Sequence, residues 1–543
     1  TLLIAGMLTL EFNVQPVKAI ETIYVRADGS VDPPTAPIQR DGDIYTLTDN
    51  VTSDNVGIVI ERNNIVLDGA GHTVQGGRDW NGIYLSGRSN VTIKNARING
   101  SRYGIVLEGS FDNIVSGNIV TNNSATGIML YFSSSNNIVS GNNITNNSDG
   151  IWLWSSFYNT VCGNNITNNN GDGIRLSLSS NSSVFGNNIT NNNAGIILSF
   201  CPESTLKSNR MANNTYSFSV DGRSLSDFIN DVDASNTVDG KPICYWVNEH
   251  DKTVPQDAGY VALVDCTRIV VQNLNTTKNA EGMLLAFTTD STITENNITN
   301  NVQGVSLHFS SNVKVFRNNI TNNSQGIWLD YSSNTDISKN KIAANGAGIS
   351  VNSSSHVSVL GNNIANNSQG ILLSNSSYDT VSGNNITANN VSGIELSHSS
   401  SNSVYHNNFV GNPSQIIFFD SVNSWDGGYP SGGNYWGDYT GVDVFSGPYQ
   451  NESGTDGIGD TPYIISEGNA DRYPLMKPLI TETLKTDLNE DGTVNIMDIA
   501  IVAKAYGSEP GDANWNPTAD LDKNGRIDIL DIAAVAKDYG KTV

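Results

Sequence analysis

The sequence predicts a mainly β protein: a parallel β-helix followed by a small all-α module at the C-terminal end. Two observations predict the β-helix. A segment beginning with Gly recurs every 22 or 23 residues, and each repeat contains short strands with alternate apolar residues rather than a helical period. A third observation predicts the module, because two acidic 12-residue loops, 33 residues apart, each run into a short helical pattern.

The glycine-led repeats form two arrays, one on each side of residues 216–262. About 22 residues with two or three short strands fit one turn of a parallel β-helix, in which Ile and Leu face an inner core. The Asn-rich segments between strands, such as NNITNN at 142–147, suit the corners of the coil, because Asn tolerates left-handed turns and stacked Asn side chains form ladders. The repeat glycines are Gly82, Gly104, Gly127, Gly150, Gly173 and Gly195, then Gly282, Gly304, Gly326, Gly348, Gly370 and Gly393.

The arrays also set the expected domain boundaries. The apolar run at the start of the chain, followed by small residues, is typical of a secretory signal peptide, so we expect an extracellular or cell-surface protein whose mature chain does not span a membrane. The excursion at 216–262 is expected to leave the solenoid continuous, because the period is the same before and after it. The expected segments are a signal-peptide remnant (1–19), the β-helix (20–476) with an N-terminal cap (20–60), a lateral excursion (216–262) and a Gly/Tyr/Trp-rich C-terminal cap (421–476), a linker (477–486) and the all-α module (487–543).

Composition excludes several classes of function. The 543 residues include 29 Lys and Arg against 53 Asp and Glu, a net charge of −24, so nucleic acid is not an expected partner. Four cysteines without CxxC spacing are too few for a disulfide scaffold and do not suggest a zinc site. Cys244 and Cys266 flank one irregular segment; they either pair in an oxidising compartment or remain free buried thiols.

The two acidic loops, 487–498 and 520–531, have the spacing of calcium sites. Each places oxygen-bearing side chains at positions 1, 3, 5, 9 and 12 with Gly at position 6, and Ca²⁺ takes about six to eight oxygens around a sharply turned loop. Thr493 and Arg526 occupy position 7, where the backbone carbonyl is the ligand. We expect two Ca²⁺ ions, held by Asp487, Asn489, Asp491, Asn495 and Asp498 in the first loop and by Asp520, Asp522, Asn524, Asp528 and Asp531 in the second.

With their helices, which end at Gly507 and Gly540, the loops closely resemble a type I dockerin over residues 487–543. Position 12 is Asp, as in dockerins, rather than the Glu usual in EF-hands. The resemblance implies docking to a cohesin on a scaffold protein. In that family, loop positions 10 and 11 help to select the partner; here they are Ile496-Met497 and Ile529-Leu530, more apolar than the common Ser-Thr pair. A calcium-stabilised cap without a partner is the alternative.

The solenoid resembles NosD-like surface proteins over roughly residues 40–476. The resemblance rests on the repeat arrays, on DGKPICYWVNEHDKTVPQDAGYVALV at 239–264 and on the later motifs GGNYWGDY and DGIGDTPY. It implies a right-handed parallel β-helix of the pectin-lyase type, within a group of carbohydrate-binding and sugar-hydrolysing solenoids. A copper-related role like that of the namesake is a weaker alternative, because the sequence has no cluster of His, Met and Cys to supply soft copper ligands.

Outward-facing aromatic residues are the candidate carbohydrate-binding residues. In GIWLW at 150–154 alternate residues point inward, so Trp152 and Trp154 point outward together. Aromatic rings stack on sugar rings, and an arginine one turn later would pair with an acidic sugar. A loop or glycans covering the rings is the alternative. The candidates, including the matching positions of neighbouring turns and of the second array, are Tyr131, Trp152, Trp154, Arg175 and Trp328.

Catalytic residues are harder to identify. Glu108, Asp330 and His308 lie at or next to outward strand positions, where a solvated side chain, including a surface histidine, is the simpler interpretation of each. The motifs of polygalacturonase and pectate-lyase chemistry are missing from the sequence. The sequence therefore favours a carbohydrate-binding, scaffolding or adhesive role over an enzyme. The alternative is a polysaccharide lyase, glycoside hydrolase or epimerase carried by the dockerin-like module.

Overall fold

A computed structural model describes residues 21–479, 485–489 and 493–541. The predicted signal-peptide remnant, half of the predicted linker and Asp491 lie outside the described residues. The chain forms a parallel β-solenoid of about 17 turns followed by a small helical module. None of the helices described is long and apolar enough to cross a membrane.

The first stack of turns consists of three sheets, one on each side of the coil. Each sheet is parallel except for antiparallel first pairs in sheets A1 and B1, at the N-terminal end. Sheet A1 contains Ile23–Val25, Val31–Asp32, Ile58–Ile60, Asn81–Ser86, Tyr103–Glu108, Thr126–Tyr131, Asp149–Trp154, Asp172–Ser177, Ala194–Ser199 and Tyr216–Asp221. Sheet B1 contains Ile38–Asp41, Ile44–Leu47, Ile65–Asp68, Val91–Lys94, Ile114–Ser116, Ile138–Ser140, Thr160–Cys162, Ser183–Phe185, Thr205–Lys207 and Asp231–Val232. Sheet C1 contains Val51–Thr52, Thr73–Gln75, Arg97–Asn99, Ile119–Thr121, Asn143–Thr145, Asn165–Thr167, Asn188–Thr190, Arg210–Ala212 and Thr237–Val238.

The second stack repeats the arrangement with three new parallel sheets. Sheet A2 contains Lys241–Val247, Tyr260–Val264, Glu281–Ala286, Gln303–His308, Gln325–Asp330, Ala347–Asn352, Gln369–Ser374, Ser392–Ser397 and Ser414–Phe419. Sheet B2 contains Val270–Gln272, Thr292–Thr294, Lys314–Phe316, Asp336–Ser338, Ser358–Leu360, Thr380–Ser382 and Ser403–Tyr405. Sheet C2 contains Asn275–Thr277, Asn297–Thr299, Asn319–Thr321, Lys341–Ala343, Asn363–Ala365, Asn385–Thr387, Asn408–Val410 and Tyr435–Trp436. Two hairpins follow, Phe445–Ser446 with Glu452–Ser453 and Tyr463–Ser466 with Asn469–Asp471.

The chain between the stacks differs from the expected lateral excursion. Sheets A1, B1 and C1 all end within 216–262, and the one-turn helix α1 (Leu225–Phe228) lies there as well. The last strand of C1 then pairs antiparallel with the first strand of A2, Val238 facing Lys241. Between them, Asp239 and Gly240 both have positive φ (47° and 84°), the conformation of a two-residue hairpin turn. This Asp-Gly turn reverses the chain and ends the first stack.

The reversal places one sheet between two apolar cores. In the second strand of A2, Leu263 packs in the core of the second stack, whereas Ala262 packs in the core of the first. The strand that follows alternates in the same way, with Leu285 in one core and Leu284 in the other. The outer face of the first A2 strands therefore packs against the end of the first stack, and it becomes accessible only in later turns.

Buried asparagines form the expected ladders at the corners of the coils. Nδ2 of Asn142 donates to Oδ1 of Asn164 in the next turn (3.0 Å) and to the carbonyl of Val115 in the previous turn (2.9 Å). Oδ1 of Asn142 accepts the N–H of Asn118 at 3.0 Å. Each rung thus pairs backbone groups that the tight corner leaves out of the sheets. Gly150 stands where a Cβ would come within 2.4 Å of the carbonyl oxygen of Gly173, so the spacing between turns requires glycine.

Stacked aromatic rings close the C-terminal end of the solenoid. Trp436 lies between Phe409 and Tyr463, with ring centroids 4.6 and 4.4 Å away. The carboxylate of Asp471 accepts the indole N–H of Trp436 (2.9 Å) and the backbone N–H of Asn434 (2.7 Å). Burial raises the pKa of Asp471 to about 6. These contacts bury the last turn of the core.

Candidate functional site

Four aromatic side chains form one cluster on the outer face of sheet A1, and we call this cluster the aromatic platform: Tyr131, Phe132, Trp152 and Trp154. The ring centroids of Trp152 and Trp154 are 6.2 Å apart with planes at 27°. The ring of Phe132 lies 5.3 Å from Trp154 and 4.6 Å from Tyr131. Phe132 is 53% exposed and Trp154 is 36% exposed, so the platform faces solvent.

Alternation along the strand places the tryptophans, as the sequence predicts. Ile151 and Leu153 are fully buried in the core, which turns Trp152 and Trp154 outward. The parallel register sets Tyr131 directly beside Trp154. The platform is thus held by the inner core of the coil, and its own rings are not needed for that core.

Glu108 lies one turn before the platform, beside Tyr131 in register. Its carboxylate accepts a hydrogen bond from the hydroxyl of Tyr84. Burial, together with the charge of Glu108, raises the pKa of the Tyr131 phenol well above its usual value. This glutamate is half-buried between two phenols, rather than solvated.

Arg175 lies one turn after the platform, beside Trp152 in register. Its guanidinium carbon is 5.6 Å from the centroid of Trp152, and Nη1 is 3.3 Å from Oδ2 of Asp172. Burial raises the pKa of Asp172, and so does Asp149, whose carboxylate accepts the Asp172 N–H at 2.9 Å. Arg175 already has a carboxylate partner, so an acidic sugar would have to compete with Asp172 for it. The buried indole N–H of Trp152 has no hydrogen-bond partner among the described residues.

The other candidates, Trp328, Asp330 and His308, lie on the outer face of sheet A2, in the other stack. His308 is not a surface histidine: it is 7% exposed, and burial lowers its pKa. Its Nε2 is 3.0 Å from Oγ of Ser306, and its Nδ1 is 4.0 Å from Oδ2 of Asp330. This order is that of a Ser-His-Asp triad, but Ser306 is fully buried and cannot reach a substrate. The candidates Glu108 and Asp330 stand on different stacks and do not form a catalytic pair.

Sequence reasoning missed three residues of these surfaces: Tyr84, Phe132 and Tyr331. Phe132 and Tyr331 follow directly after strands, at corners with positive φ (51° and 48°). A hydrophobic residue with positive φ is uncommon, and nothing in the alternating pattern marks it. Tyr84 was detectable, because its strand position matches that of Trp152 in register across the intervening turns.

The helical module contains α2 (Ile496–Ala505) and α3 (Ile529–Asp538). Each helix begins at the end of a predicted calcium loop. The side chain at loop position 9 caps it: Asn495 accepts the N–H of Met497 (2.8 Å), and Asp528 accepts that of Leu530 (2.7 Å). A short side chain with an acceptor oxygen, Asn in one half and Asp in the other, therefore caps the helix at the same loop position.

The two halves of the module bind each other through matching backbone hydrogen bonds. The N–H of Gly507, after α2, donates to the carbonyl of Ile527 in the second loop at 2.7 Å. The N–H of Gly540, after α3, donates to the carbonyl of Val494 in the first loop, also at 2.7 Å. The 33-residue duplication in the sequence is thus a structural duplication.

The second loop brings oxygen ligands together. Single carboxylate oxygens of Asp520, Asp522 and Asp531 all lie within 4.8 Å of one another. Asp531 also accepts the N–H of Asp528 at 2.8 Å. Such a set fits Ca²⁺, a hard cation that prefers carboxylate and carbonyl oxygens. In the first loop, Asp498 accepts the N–H groups of Asn489 (3.0 Å) and Asn495 (2.8 Å), which places it as Asp531 is placed.

Family models match three parts of the chain. The model described as "Periplasmic copper-binding protein (NosD)" matches residues 38–245 and 346–441, more than half of the 543 residues. The chain belongs to the NosD family. The model "Right handed beta helix region" matches residues 253–378, and "Dockerin type I domain" matches residues 485–538. Both predicted resemblances, and the fold class they imply, are confirmed.

Copper, which the NosD description names, does not fit the side chains of this family member. Across the described ranges, only one group of three or more His, Cys, Asp or Glu residues has its ligand atoms within 4.8 Å of one another. That group is the three aspartates of the second loop, which supply hard oxygen ligands rather than soft copper ligands. All four cysteines lie within those ranges and are free thiols. Of the two alternatives for Cys244 and Cys266, the structure therefore has the free thiols and not the disulfide. Burial raises the pKa of Cys244 to about 12 and disfavours the thiolate that binds a soft metal.

No curated protein matches this NosD family chain. Solved structures do match it, at low identity. The mannuronan C-5 epimerase AlgE6 A-module of Azotobacter vinelandii is 14% identical, with 68% of this chain and 91% of that chain covered and a TM-score of 0.25. A DFA-IIIase from Arthrobacter chlorophenolicus is 9% identical, with 62% and 68% covered and a TM-score of 0.27. A mutant of the periplasmic alginate epimerase AlgG is 11% identical, with 74% and 83% covered and a TM-score of 0.21. At these values the likeness says nothing about the activity of this chain.

Proposed function

We propose that this NosD family protein is a secreted carbohydrate-binding β-helix that docks, through a calcium-loaded dockerin, to a cohesin-bearing scaffold protein. The observation that carries the proposal is the aromatic platform. Its rings are contiguous and open to solvent, although the core does not need them. Exposed clusters of this kind mark interaction sites, and aromatic faces stack on the apolar faces of sugar rings.

The charges around the platform favour a neutral polysaccharide over an acidic one. Arg175, beside the tryptophans, is paired with Asp172. Glu108 and Asp149 flank the same surface and would repel the carboxylates of a uronate polymer. From the sequence we expected Arg175 to pair with an acidic sugar. Because Arg175 is paired with Asp172, we now propose a neutral sugar as the ligand.

The dockerin supports docking through two matching apolar pairs. Ile496 and Met497 at the start of α2, and Ile529 and Leu530 at the start of α3, are all more than half exposed. A module that only capped the solenoid would gain nothing from four large apolar side chains in water. The pairs stand at loop positions 10 and 11, so calcium binding would fix their geometry.

The experiment that tests the platform is affinity electrophoresis in gels containing a soluble neutral polysaccharide, such as glucan, mannan or xylan, with polyuronate gels for comparison. Trp154→Ala should weaken binding about five-fold, the equivalent of about 1 kcal/mol for one lost stack. Tyr158→Asn is the matched control, because Tyr158 is an exposed aromatic on the same turn, but at another corner, and Asn136 and Asn181 occupy that corner in adjacent turns. Equal retardation of both variants, or retardation only by polyuronates, would refute the platform.

An enzyme is the second candidate, and Glu108 is the observation that favours it. A half-buried carboxylate between the phenols of Tyr84 and Tyr131 stands beside the surface where sugar rings would lie. A lyase, hydrolase or epimerase would use such a group as acid or base. Product analysis of any polysaccharide that the gels identify tests this alternative. Products formed by the wild type and not by Glu108→Gln would establish it.

A further inference from the structure

A second groove lies where the two stacks meet. Ligand sites occur preferentially at such junctions between packed units, where two surfaces form a concave angle. One wall follows the last strand of sheet A1, and the other belongs to the outer face of sheet A2 and its corner. The groove is lined by Gly222 and Arg223 on the first wall and by Phe309, Asp330, Tyr331 and Asn352 on the second.

Three rings stack along the A2 corner that borders this groove. Phe287 and Phe309 are 4.8 Å apart with planes at 11°, and Phe309 and Tyr331 are 5.2 Å apart with planes at 4°. The ladder ends at Tyr331, because Ser353 occupies the same corner in the next turn. One face of the Tyr331 ring is therefore not covered by the following turn of the described stack, and its side chain is 58% exposed.

Polar groups stand beside this open ring face. Oδ1 of Asp330 accepts a hydrogen bond from Nδ2 of Asn352 at 2.6 Å, and the two residues are in register on neighbouring strands. Ser350 lies on the same outer face, beside Trp328 in register. It is 4% exposed, and the described residues provide no partner for its hydroxyl. Ser350 is therefore covered by its neighbours and is not one of the residues that line the groove.

We propose that this groove is a second binding site, for a neutral sugar ring that stacks on Tyr331 and hydrogen-bonds to Asp330 and Asn352. A carboxylate and an amide held side by side present acceptors and a donor to adjacent hydroxyls of one ring. The flat ring of Tyr331 packs against the C–H face of the same sugar. Asp330, the residue next to Tyr331, repels a uronate carboxylate at the stacked ring. Arg223, on the opposite wall, offers N–H donors to hydroxyls, and its positive charge reduces this repulsion on its own side of the groove. The groove and the aromatic platform lie on different stacks, so sugar binding at one does not require sugar binding at the other.

The test removes the Tyr331 ring without straining the corner. Tyr331→Asn suits the backbone, because Asn375 occupies the same corner two turns later at a similar positive φ (50° against 48°). Tyr378→Asn is the matched control. Tyr378 is 62% exposed on the same stack, at a different corner with positive φ, and Asn334 occupies that corner two turns earlier. Both variants are made in the full chain carrying Trp154→Ala, which weakens binding at the platform, so that binding at the second site is easier to detect.

Binding is measured by calorimetric titration with gluco-, manno- and xylo-oligosaccharides and, for comparison, an oligouronate of equal length. The Trp154→Ala chain should retain binding of a neutral oligosaccharide, and adding Tyr331→Asn should weaken it about five-fold or more, whereas Tyr378→Asn should not. Equal affinities of the two double variants, a preference for the oligouronate, or no binding left in the Trp154→Ala chain would overturn the second site. An affinity that depends on Tyr331 but not on Trp154 would instead refute the platform and leave this groove.

Discussion

The backbone N–H of Asp379 donates to Oδ1 of Asn402 at 2.8 Å, which makes Asp379 one rung of a ladder that asparagine fills at other turns. Its own Oδ1 accepts the N–H of Val357 at 2.8 Å, as a ladder asparagine would. Its Oδ2, however, is buried and has no hydrogen-bond partner in the described part of the chain. Burial raises the pKa of Asp379 to about 7.

Asp379→Asn should therefore stabilise the solenoid. The new Nδ2 would face the carbonyl of Ser354, as Nδ2 of Asn159 faces that of Ser134 at 2.8 Å in the first stack. The folded wild type keeps this proton up to a pKa of about 7, whereas the unfolded chain releases it near 3.8. Wild-type stability therefore falls between these two pH values and then levels off, so the gain should be largest above pH 7. Denaturant unfolding at pH 8 should show a gain on the order of 1–3 kcal/mol.

The control for this prediction is the reverse exchange in the neighbouring ladder. Nδ2 of Asn384 donates to the carbonyl of Val359 at 2.8 Å, and Asn384→Asp would remove that donor. The free energy of unfolding should then fall at pH 8. A destabilised Asp379→Asn protein would show that the Asp379 carboxylate has a role beyond the ladder.

The junction between the stacks should weaken as pH rises. Glu281 is buried there, and its carboxyl accepts hydrogen bonds from the hydroxyls of Ser219 (3.2 Å) and Tyr260 (3.1 Å). Burial, and the nearby Asp221, raise its pKa to about 7 from 4.5. The folded chain therefore keeps a proton that the unfolded chain releases. Stability should fall between about pH 4.5 and 7, by on the order of 3 kcal/mol, and then level off.

Glu281→Gln isolates this effect, because the amide keeps the shape of the side chain and does not titrate. The difference in unfolding free energy between wild type and Glu281→Gln should change sign or shrink steeply between pH 5 and 8. A constant difference over that range would show that Glu281 does not titrate at the junction.

The dockerin should fold only with calcium, whereas the solenoid should not need it. Residues 487–543 carry eleven Asp and Glu against five Lys and Arg, and a small domain buries little core to offset that repulsion. A chelator should remove the helical signal in circular dichroism and leave the β signal. The paired substitution of Asp487→Ala and Asp520→Ala should do the same, while Glu509→Ala, an exposed acid between the loops, should not. Helices protected from hydrogen exchange in chelator would contradict the metal requirement.

The sequence predicts the coils because every turn repeats the same physical demand. Two kinds of residue recur at a fixed spacing, which one sequence is enough to reveal. They are the glycines where neighbouring turns approach closely, such as Gly150, and the asparagines of the corner ladders, such as Asn142. The junction could not be predicted in this way, since it depends on one unrepeated Asp239-Gly240 hairpin. The site was predicted only where alternation decides direction, as for Trp154. Phe132 and Tyr331 stand at corners, where side-chain direction follows from φ rather than from the pattern.

Co-sedimentation would show whether one chain joins a neutral polysaccharide to a cohesin. Insoluble polysaccharide of the type identified in the gels is incubated with a cohesin in calcium, with and without this protein, and the cohesin in the pellet is measured. Cohesin should sediment only when the protein is present, and Trp154→Ala or a chelator should reduce the pelleted fraction, whereas Tyr158→Asn should not. Cohesin left in the supernatant beside sedimented wild-type protein would contradict the docking, and sedimentation unaffected by Trp154→Ala would contradict the platform.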